Sequence, residues 1–158
     1  TVRAWQLRTE IQPVDFHYKQ LYPHLIKSLR EVASHVGAHP SQLSFVSNVE
    51  FGMSAIFKSL SFTKDDKILT FSPTYDAVRY AVESLICERT GAELVILPLQ
   101  FPLTNASEVI HTLKNFLQTA KNIKFAYFQH ITSPTAILLP AKELVEICHS
   151  FGIQVLID

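Results

Sequence analysis

The sequence predicts an α/β fold in which helices cover both faces of a mainly parallel β-sheet, a three-layer α-β-α arrangement. Two observations support this prediction. Short runs that are apolar throughout alternate with longer segments whose apolar residues recur every three or four positions. Strands that are apolar on both faces belong to a sheet that is buried on both faces, and helices between consecutive strands favour parallel pairing.

The predicted elements follow in chain order. Helical spacing of apolar residues predicts a helix over residues 18–36, which Gly37 ends. A short apolar run predicts a first strand over residues 43–48, before a helix over residues 49–60. The pattern then predicts strand 67–72, helix 75–89, strand 92–99, a helix around 109–117, strand 123–130, helix 140–150 and strand 153–157.

The pattern contains no internal repeat, low-complexity tract or linker, so we interpret residues 1–158 as one domain. Asp158 stands directly after the apolar strand 153–157, whereas chain termini normally lie in polar, frayed segments. The chain also begins without methionine. We therefore expect a single incomplete domain that belongs to a longer protein.

Charge and composition narrow the class of partner. Lys plus Arg and Asp plus Glu are balanced at 14 each, so no net positive field attracts nucleic acid or an anionic membrane. No apolar run approaches the ~20 residues that span a bilayer, and the first residues lack a signal-peptide core. Cys87 and Cys148 lack metal-binding or redox spacing and are expected to be reduced core thiols. We expect a cytoplasmic protein that binds neither nucleic acid nor a membrane.

Polar residues stand at the predicted carboxyl ends of several strands, where doubly wound sheets bind ligands. These are the segments 48–50, 73–75 and 130–134, together with Asp158. The sequence matches neither the glycine-rich dinucleotide motif nor the phosphate loop, and its 4 glycines are too few to build either, so a nucleotide cofactor is disfavoured. His35 and His39 have a spacing found in metal sites, but Gly37 interrupts the helix that would align them. We predict no metal site.

Five stretches occur in an order and spacing that resemble a known family. They are the leading segment with Glu10, Pro13 and Phe16, then VASHVGAHPSQLSFVSN, TYDAVRYAV, GAELVILPL and HITSPTAILLPAKELVEICHSFGIQVLID. Together they resemble the class V aminotransferase family of pyridoxal-phosphate enzymes, especially its isopenicillin N epimerase-like and cysteine desulfurase-like members. The resemblance covers nearly the whole chain. It implies the N-terminal part of a large domain of the aspartate-aminotransferase-like fold (fold type I), truncated after Asp158.

The resemblance implies a site for pyridoxal 5'-phosphate. The backbone amides after Asn48, at Val49 and Glu50, would hold the phosphate at a helix N-terminus, where free N–H groups and the helix dipole suit a dianion. The ring of Tyr75 would stack on the pyridine ring.

Two further polar residues would contact the pyridine ring. Ser133 falls where a polar side chain approaches the ring oxygen of the cofactor. Asp158 matches the carboxylate that pairs with the protonated ring nitrogen and keeps it charged, so that the ring draws electrons from a substrate carbanion.

The resemblance also implies a reaction and an assembly. Such enzymes act on an amino acid through an external aldimine, usually as homodimers, with the cofactor on a lysine several dozen residues beyond the aspartate. Lys67 and Lys124 open strands and Lys142 opens a helix, so no lysine here matches that position. We therefore predict no catalytic residue in this chain and expect the chain alone to be inactive.

Two departures from the family pattern leave alternatives open. Glu50 stands where relatives usually offer a small hydroxyl to the phosphate, and Ala136 stands where relatives often have glycine. Like charges ~4 Å apart cost about 1 kcal/mol even in water. Glu50 therefore supports a rival hypothesis, a non-catalytic paralogue that retains the fold with a decayed cofactor site. A second rival is an unrelated α/β protein.

Each candidate residue also has a purely structural interpretation. Asn48 is a good helix N-cap, and Glu50 is a favourable acid for a first helical turn. Tyr75 could pack against the edge of the sheet, and Ser133 before Pro134 is a common turn pair. For His130 we favour a hydrogen-bonded structural imidazole over a catalytic one.

Overall fold

The computed structural model describes residues 1–158 and divides into two compact units, residues 1–47 and residues 48–158. The first unit is helical. Its elements are α1 (Val2–Ile11), the short α2 (Pro13–Asp15), a π-helical turn (Phe16–Gln20), α3 (Leu21–Val36) and a 3-10 turn (Pro40–Gln42). α3 ends at Gly37, as predicted. The sequence did not predict α1, because its apolar residues do not collect on one face of the helix. In the structure no residue of α1 is buried.

The predicted first strand over residues 43–48 is wrong. Residues 43–46 have no regular secondary structure, and residues 47–48 form a bend. Phe45 and Val46 are 52% and 47% exposed. An apolar run becomes a strand only where a neighbouring strand takes up its backbone hydrogen bonds, and the sheet of this chain contains no such partner.

The second unit alternates helices and strands. Its elements are α4 (Val49–Ser59), β1 (Lys67–Phe71), α5 (Asp76–Val82), a π-helical turn (Glu83–Cys87), α6 (Glu88–Thr90), β2 (Glu93–Leu97), α7 (Ala106–Thr119), β3 (Ile123–Phe128), α8 (Ala141–Ser150) and β4 (Gln154–Ile157). The three helical pieces from α5 to α6 follow one another directly and correspond to the predicted helix 75–89. The elements predicted after residue 48 are thus confirmed. None of the helices combines the length and apolar character that crossing a membrane requires.

The four strands form one sheet in the order β2-β1-β3-β4, and all three strand pairs are parallel. From β1 the chain moves outward to β2, and it then passes back over β1 to reach β3 and β4. The strand order therefore reverses between β1 and β3. In open α/β sheets the crevice at such a reversal, beyond the carboxyl ends of the strands, is where ligands bind.

Apolar side chains fill both faces of the sheet, which confirms the predicted three-layer arrangement. On one face, buried residues of the strands pack with α7 and α8, among them Leu69, Leu113 and Leu144. On the other face they pack with α4, α5 and the π-helical turn, through residues such as Phe57 and Val82. The two cysteines are free thiols, Cys87 half-buried and Cys148 buried.

Gly91 ends α6 at a position that only glycine fits well. Its φ is +76°, in the left-handed region, and a Cβ added there would lie 3.1 Å from Cβ of Lys64. The close approach lets the helical segment turn directly into β2.

Candidate functional site

Side chains from β1 and β3 converge on a small cavity at the point where the strand order reverses. The lining residues are Thr70, Phe71, Pro73, Thr74, Phe128, Gln129, Thr132 and Leu139. Most of them belong to the last residues of the two strands or to the segments that follow. The cavity thus marks the crevice at the carboxyl ends of β1 and β3.

Asp158 lies directly after β4 and continues its backbone pairing with the chain beyond β3. The Asp158 N–H donates to Phe128 O at 2.9 Å, and the carbonyl of Asp158 accepts from the His130 N–H at 2.6 Å. The side chain is exposed. Its Oδ2 accepts a hydrogen bond from the hydroxyl of Tyr127 at 2.8 Å, whereas Oδ1 has no hydrogen-bond partner within the chain. One oxygen of this carboxylate is held by the protein, and the other is open.

Tyr127 is 1% exposed, and its hydroxyl reaches the Asp158 carboxylate. It pairs with Leu156 across β3 and β4, so alternation along β4 places Asp158 on the same face as Tyr127. Burial, and next the adjacent Asp158 carboxylate, raise the pKa of the Tyr127 phenol well above its ordinary value. The phenol therefore stays protonated and donates its hydrogen bond throughout the physiological pH range.

Thr74 lies in the segment after β1, beside the same cavity. Its Oγ1 is buried, and no acceptor or donor meets the geometric requirements of a hydrogen bond with it. The hydroxyl nevertheless lies close enough to the Tyr127 phenol to lower the pKa of that phenol slightly, against the larger effect of burial. A buried hydroxyl without a partner costs free energy, and this one is available to a bound group.

The N-terminus of α4 presents free backbone amides. Asn48 is the N-cap, and its side chain accepts from the Phe51 N–H at 2.8 Å. The N–H groups of Val49 and Glu50 belong to the first turn and have no intrahelical acceptor. The Glu50 side chain is exposed and makes no hydrogen bond or ion pair in the chain. A dianion at these amides would therefore meet an unneutralised carboxylate on the same turn.

Tyr75 is the N-cap residue of α5, and its side chain is 44% exposed. Its ring takes part in none of the aromatic contacts of the chain. The alternative in which Tyr75 packs against the edge of the sheet would leave this ring only partly covered. A substantial part of its ring is open to a ligand.

Ser133 lies in a tight hairpin after β3, closed by an isolated antiparallel bridge between Ile131 and Leu138. The Ser133 N–H donates to Gln129 Oε1 at 3.3 Å, while its hydroxyl is exposed and has no hydrogen-bond partner. Thr132 organises the turn, since its Oγ1 contacts Thr135 Oγ1 at 2.7 Å and accepts from the Ile137 N–H at 2.9 Å.

The hairpin bears on two expectations from the sequence, which concern Ala136 and His130. Ala136 has φ +52°, in the left-handed region, which explains why glycine suits this position. The imidazole of His130 is exposed and makes no hydrogen bond, so the expected hydrogen-bonded structural imidazole is wrong. Only the backbone of His130 serves the fold, through its bonds to Asp158 and Leu139.

The candidate residues either begin α4 or follow the carboxyl ends of β1, β3 and β4. Phe57, in the last turns of α4, packs edge-on to Phe125 near the start of β3, so the N-terminus of α4 points toward the carboxyl ends of the strands. Asp158 contacts Tyr127 directly, but it makes no hydrogen bond to Tyr75, Ser133 or Glu50.

Sequence reasoning missed Tyr127, and it included Thr74 only as part of the candidate segment 73–75, without a role of its own. Tyr127 lies inside an apolar strand, where a tyrosine is usually taken for a core residue. Thr74 lies in a segment whose residues are typical of an ordinary turn. The signal for Tyr127 was its hydroxyl, because a phenol buried in a strand needs a hydrogen-bond partner.

Comparison with known proteins identifies the family from the sequence. The family model of class-V aminotransferases matches residues 16–158. A putative L-cysteine desulfhydrase 1 of Oryza sativa is 31% identical over 98% of this chain, and an isopenicillin N epimerase of Amycolatopsis lactamdurans is 29% identical over 100% of it. The chain covers 34% and 39% of these two relatives, so it spans little more than a third of their length.

Solved structures share the fold. The cystine C-S lyase C-DES superposes on 99% of this chain with a TM-score of 0.81 and 17% identity, and the chain covers 42% of it. A cysteine desulfurase from Thermococcus onnurineus matches 88% of the chain with a TM-score of 0.70 and 20% identity, over 34% of its own length. A C-S lyase from Staphylococcus hominis, solved with pyridoxal phosphate bound, matches 74% with a TM-score of 0.53 and 18% identity, over 31% of its own length. The fold is therefore that of the fold type I aminotransferases. Since the family model covers nearly all of it, the chain belongs to the class-V aminotransferase family, whose enzymes depend on pyridoxal phosphate.

Proposed function

We propose that residues 48–158 form the cofactor-binding part of a pyridoxal-phosphate enzyme that acts on an amino acid. The observation that carries the proposal is the state of Asp158, a carboxylate at the carboxyl edge of the sheet with one oxygen held by Tyr127 and the other open. A carboxylate fixed in this way can accept a hydrogen bond from a protonated pyridine nitrogen and keep the proton on that nitrogen.

The other groups at this edge fit the remaining parts of the cofactor. The amides of Val49 and Glu50, at the start of α4, are donors for the phosphate. The exposed ring of Tyr75 offers an aromatic face for stacking on the pyridine. The unsatisfied hydroxyl of Thr74 and the exposed hydroxyl of Ser133 are candidates for the polar substituents of the ring.

When bound, the cofactor supplies an electron sink for the bond that breaks at the α-carbon of the substrate. The residues of this chain support that chemistry without reacting themselves. Asp158 keeps a proton on the ring nitrogen, Tyr75 excludes water from one face of the ring, and the α4 amides anchor the phosphate. Each of these roles is one of binding, orientation or charge, so we assign no catalytic residue to this chain.

We propose that the lysine that holds the cofactor lies outside residues 1–158. Lys67 and Lys124 start β1 and β3 at the opposite edge of the sheet, where they form ion pairs with Glu93 and Asp66 at 2.7 and 3.0 Å. Without that lysine, residues 1–158 alone are inactive.

The names of the relatives support a class of substrate but not one particular reaction. Proteins named L-cysteine desulfhydrase and isopenicillin N epimerase both match this chain across nearly its whole length. Their names specify different bonds at an amino acid, and we propose an amino-acid substrate without choosing between them. A homodimer and a cytoplasmic location, with neither nucleic acid nor a membrane as partner, complete the proposal.

A non-catalytic paralogue is the alternative function, and Glu50 is the observation that favours it. Its carboxylate lies on the turn whose amides would bind the phosphate and has no cationic partner in the chain. In such a paralogue the fold persists while the affinity for the cofactor is lost.

Absorbance spectroscopy of the full-length protein with pyridoxal phosphate separates the two functions. We expect saturable binding, a borohydride-stable adduct on one lysine beyond residue 158, and weaker binding in Asp158→Asn. Asp65→Asn, at an exposed aspartate in the turn before β1 that makes no hydrogen bond or ion pair in the chain, is the matched control. Absence of saturable binding in the unaltered full-length protein would refute the enzyme and support the paralogue.

A further inference from the structure

We propose that Tyr127 is a positioning residue for Asp158, which fixes the orientation of the carboxylate so that its Oδ1 faces the bound cofactor. The inference rests on the proposed function and adds a residue to it that lies in the interior of the sheet. Its basis is a single contact, the 2.8 Å hydrogen bond from the Tyr127 hydroxyl to Asp158 Oδ2.

The contact joins a rigid donor to a mobile acceptor. Tyr127 is 1% exposed and packs in the core between the sheet and helices α4 and α5, so its ring cannot move aside. The Asp158 side chain is exposed and has no other hydrogen bond in the chain. An exposed aspartate rotates freely unless a partner holds it, and Tyr127 is the partner that this structure provides.

The chemical state of the donor supports the same conclusion. A phenol that faces a carboxylate from an apolar core keeps its proton, because both burial and the negative charge oppose its ionisation. It donates to Oδ2 and cannot become a competing anion. Oδ1 is left as the acceptor for a protonated ring nitrogen.

A plain structural role is the competing explanation. A tyrosine in a core strand commonly uses its hydroxyl to reach any polar group at the edge, and the hydrogen bond would then serve only folding. The two explanations differ in how Tyr127 and Asp158 depend on one another, since a positioning residue acts only through the group it positions.

A double-mutant cycle on the full-length protein makes this distinction. The variants are Tyr127→Phe, Asp158→Ala and the double variant, and the measured quantity is the dissociation constant for pyridoxal phosphate from absorbance titration. Net hydrogen-bond contributions of 0.5–1.5 kcal/mol correspond to about a twofold to tenfold change. We expect Tyr127→Phe to weaken binding by about that factor when Asp158 is present and by less than about twofold when it is absent.

The spectrum of the bound cofactor supplies a second readout that a purely structural role leaves unchanged. A ring nitrogen facing a freely rotating carboxylate releases its proton more readily, so the pH at which the spectrum changes should fall in Tyr127→Phe. Tyr80→Phe, which alters an exposed phenol beside Arg79, is the matched control and should leave that pH unchanged.

Equal losses of affinity in the two backgrounds, or a spectral transition that stays in place or moves to higher pH, would overturn the positioning role while leaving the proposed function intact. If the unaltered protein binds no pyridoxal phosphate, the proposed function fails and this inference fails with it.

Discussion

Replacing Ala136 with glycine should stabilise the hairpin that follows β3. Ala136 adopts φ +52°, where the Cβ of an L-residue approaches the following carbonyl. The position is enforced by its neighbours, because the Ala136 N–H donates to Thr132 O at 2.7 Å and the next N–H, of Ile137, donates to Thr132 Oγ1 at 2.9 Å. The alanine therefore cannot relax without breaking these bonds.

The size of the effect follows from two opposing terms. Relief of the left-handed conformation gains about 1–2 kcal/mol. The greater conformational entropy of glycine in the unfolded chain costs about 0.4–1 kcal/mol of stability. The net stabilisation is about 0.5–1 kcal/mol, which corresponds to a twofold to fivefold increase in the protection of the hairpin amides.

Hydrogen exchange of the Ile137 amide in the full-length protein measures this local free energy directly. Asn122→Gly is the matched control, since Asn122 has φ +63° but asparagine tolerates the left-handed region at little cost. We expect a clear increase in protection for Ala136→Gly and a smaller effect at residue 122. A decrease in protection at Ile137 would refute the assignment of strain to Ala136.

Three further changes test other parts of the structure. Glu50→Thr removes an unpaired carboxylate from the first turn of α4, and we expect pyridoxal phosphate to bind the full-length protein roughly tenfold more tightly, as titration would measure. Gly91→Ala should destabilise the protein by about 1–2 kcal/mol in urea unfolding, with a further penalty from the 3.1 Å approach to Lys64. The raised pKa of Tyr127 means that the folded chain keeps this proton above pH ~10 while the unfolded chain loses it, so stability should fall as pH rises beyond that point, and less so in Tyr127→Phe.

Controls give these three predictions their specificity. Glu50→Gln keeps the length of the side chain without its charge, and weaker binding in both variants would show that the carboxylate does not oppose the phosphate. Gly152→Ala has a similar φ of +72° with open space around the added Cβ, and an equal loss at both glycines would contradict the steric part of the Gly91 prediction. An alkaline stability profile that is the same with and without the Tyr127 hydroxyl would contradict the third prediction.

The order of helices and strands in residues 48–158 was determined by the sequence itself. A helix and a buried strand differ in the period of their apolar residues, and that period is a local property. The same property placed Asp158 at the carboxyl end of a strand and Asn48 at the start of a helix, because both positions are defined along the chain. The apolar run over residues 43–48 shows the limit of this reasoning, since it has the composition of a strand but no strand beside it.

The order of the strands, and the contacts that it creates, were decided only by the tertiary structure. Apolar period does not specify which strand lies beside which, so the reversal between β1 and β3 could not be deduced. The pairing of β3 with β4 brings Tyr127 to Asp158 across 31 positions of the chain. Thr74 is left without a partner by the packing around it, and the left-handed backbone at Ala136 is imposed by the hairpin hydrogen bonds. These features depend on contacts between residues that are distant in sequence or held by tertiary packing. Local sequence periodicity carries no information about such contacts.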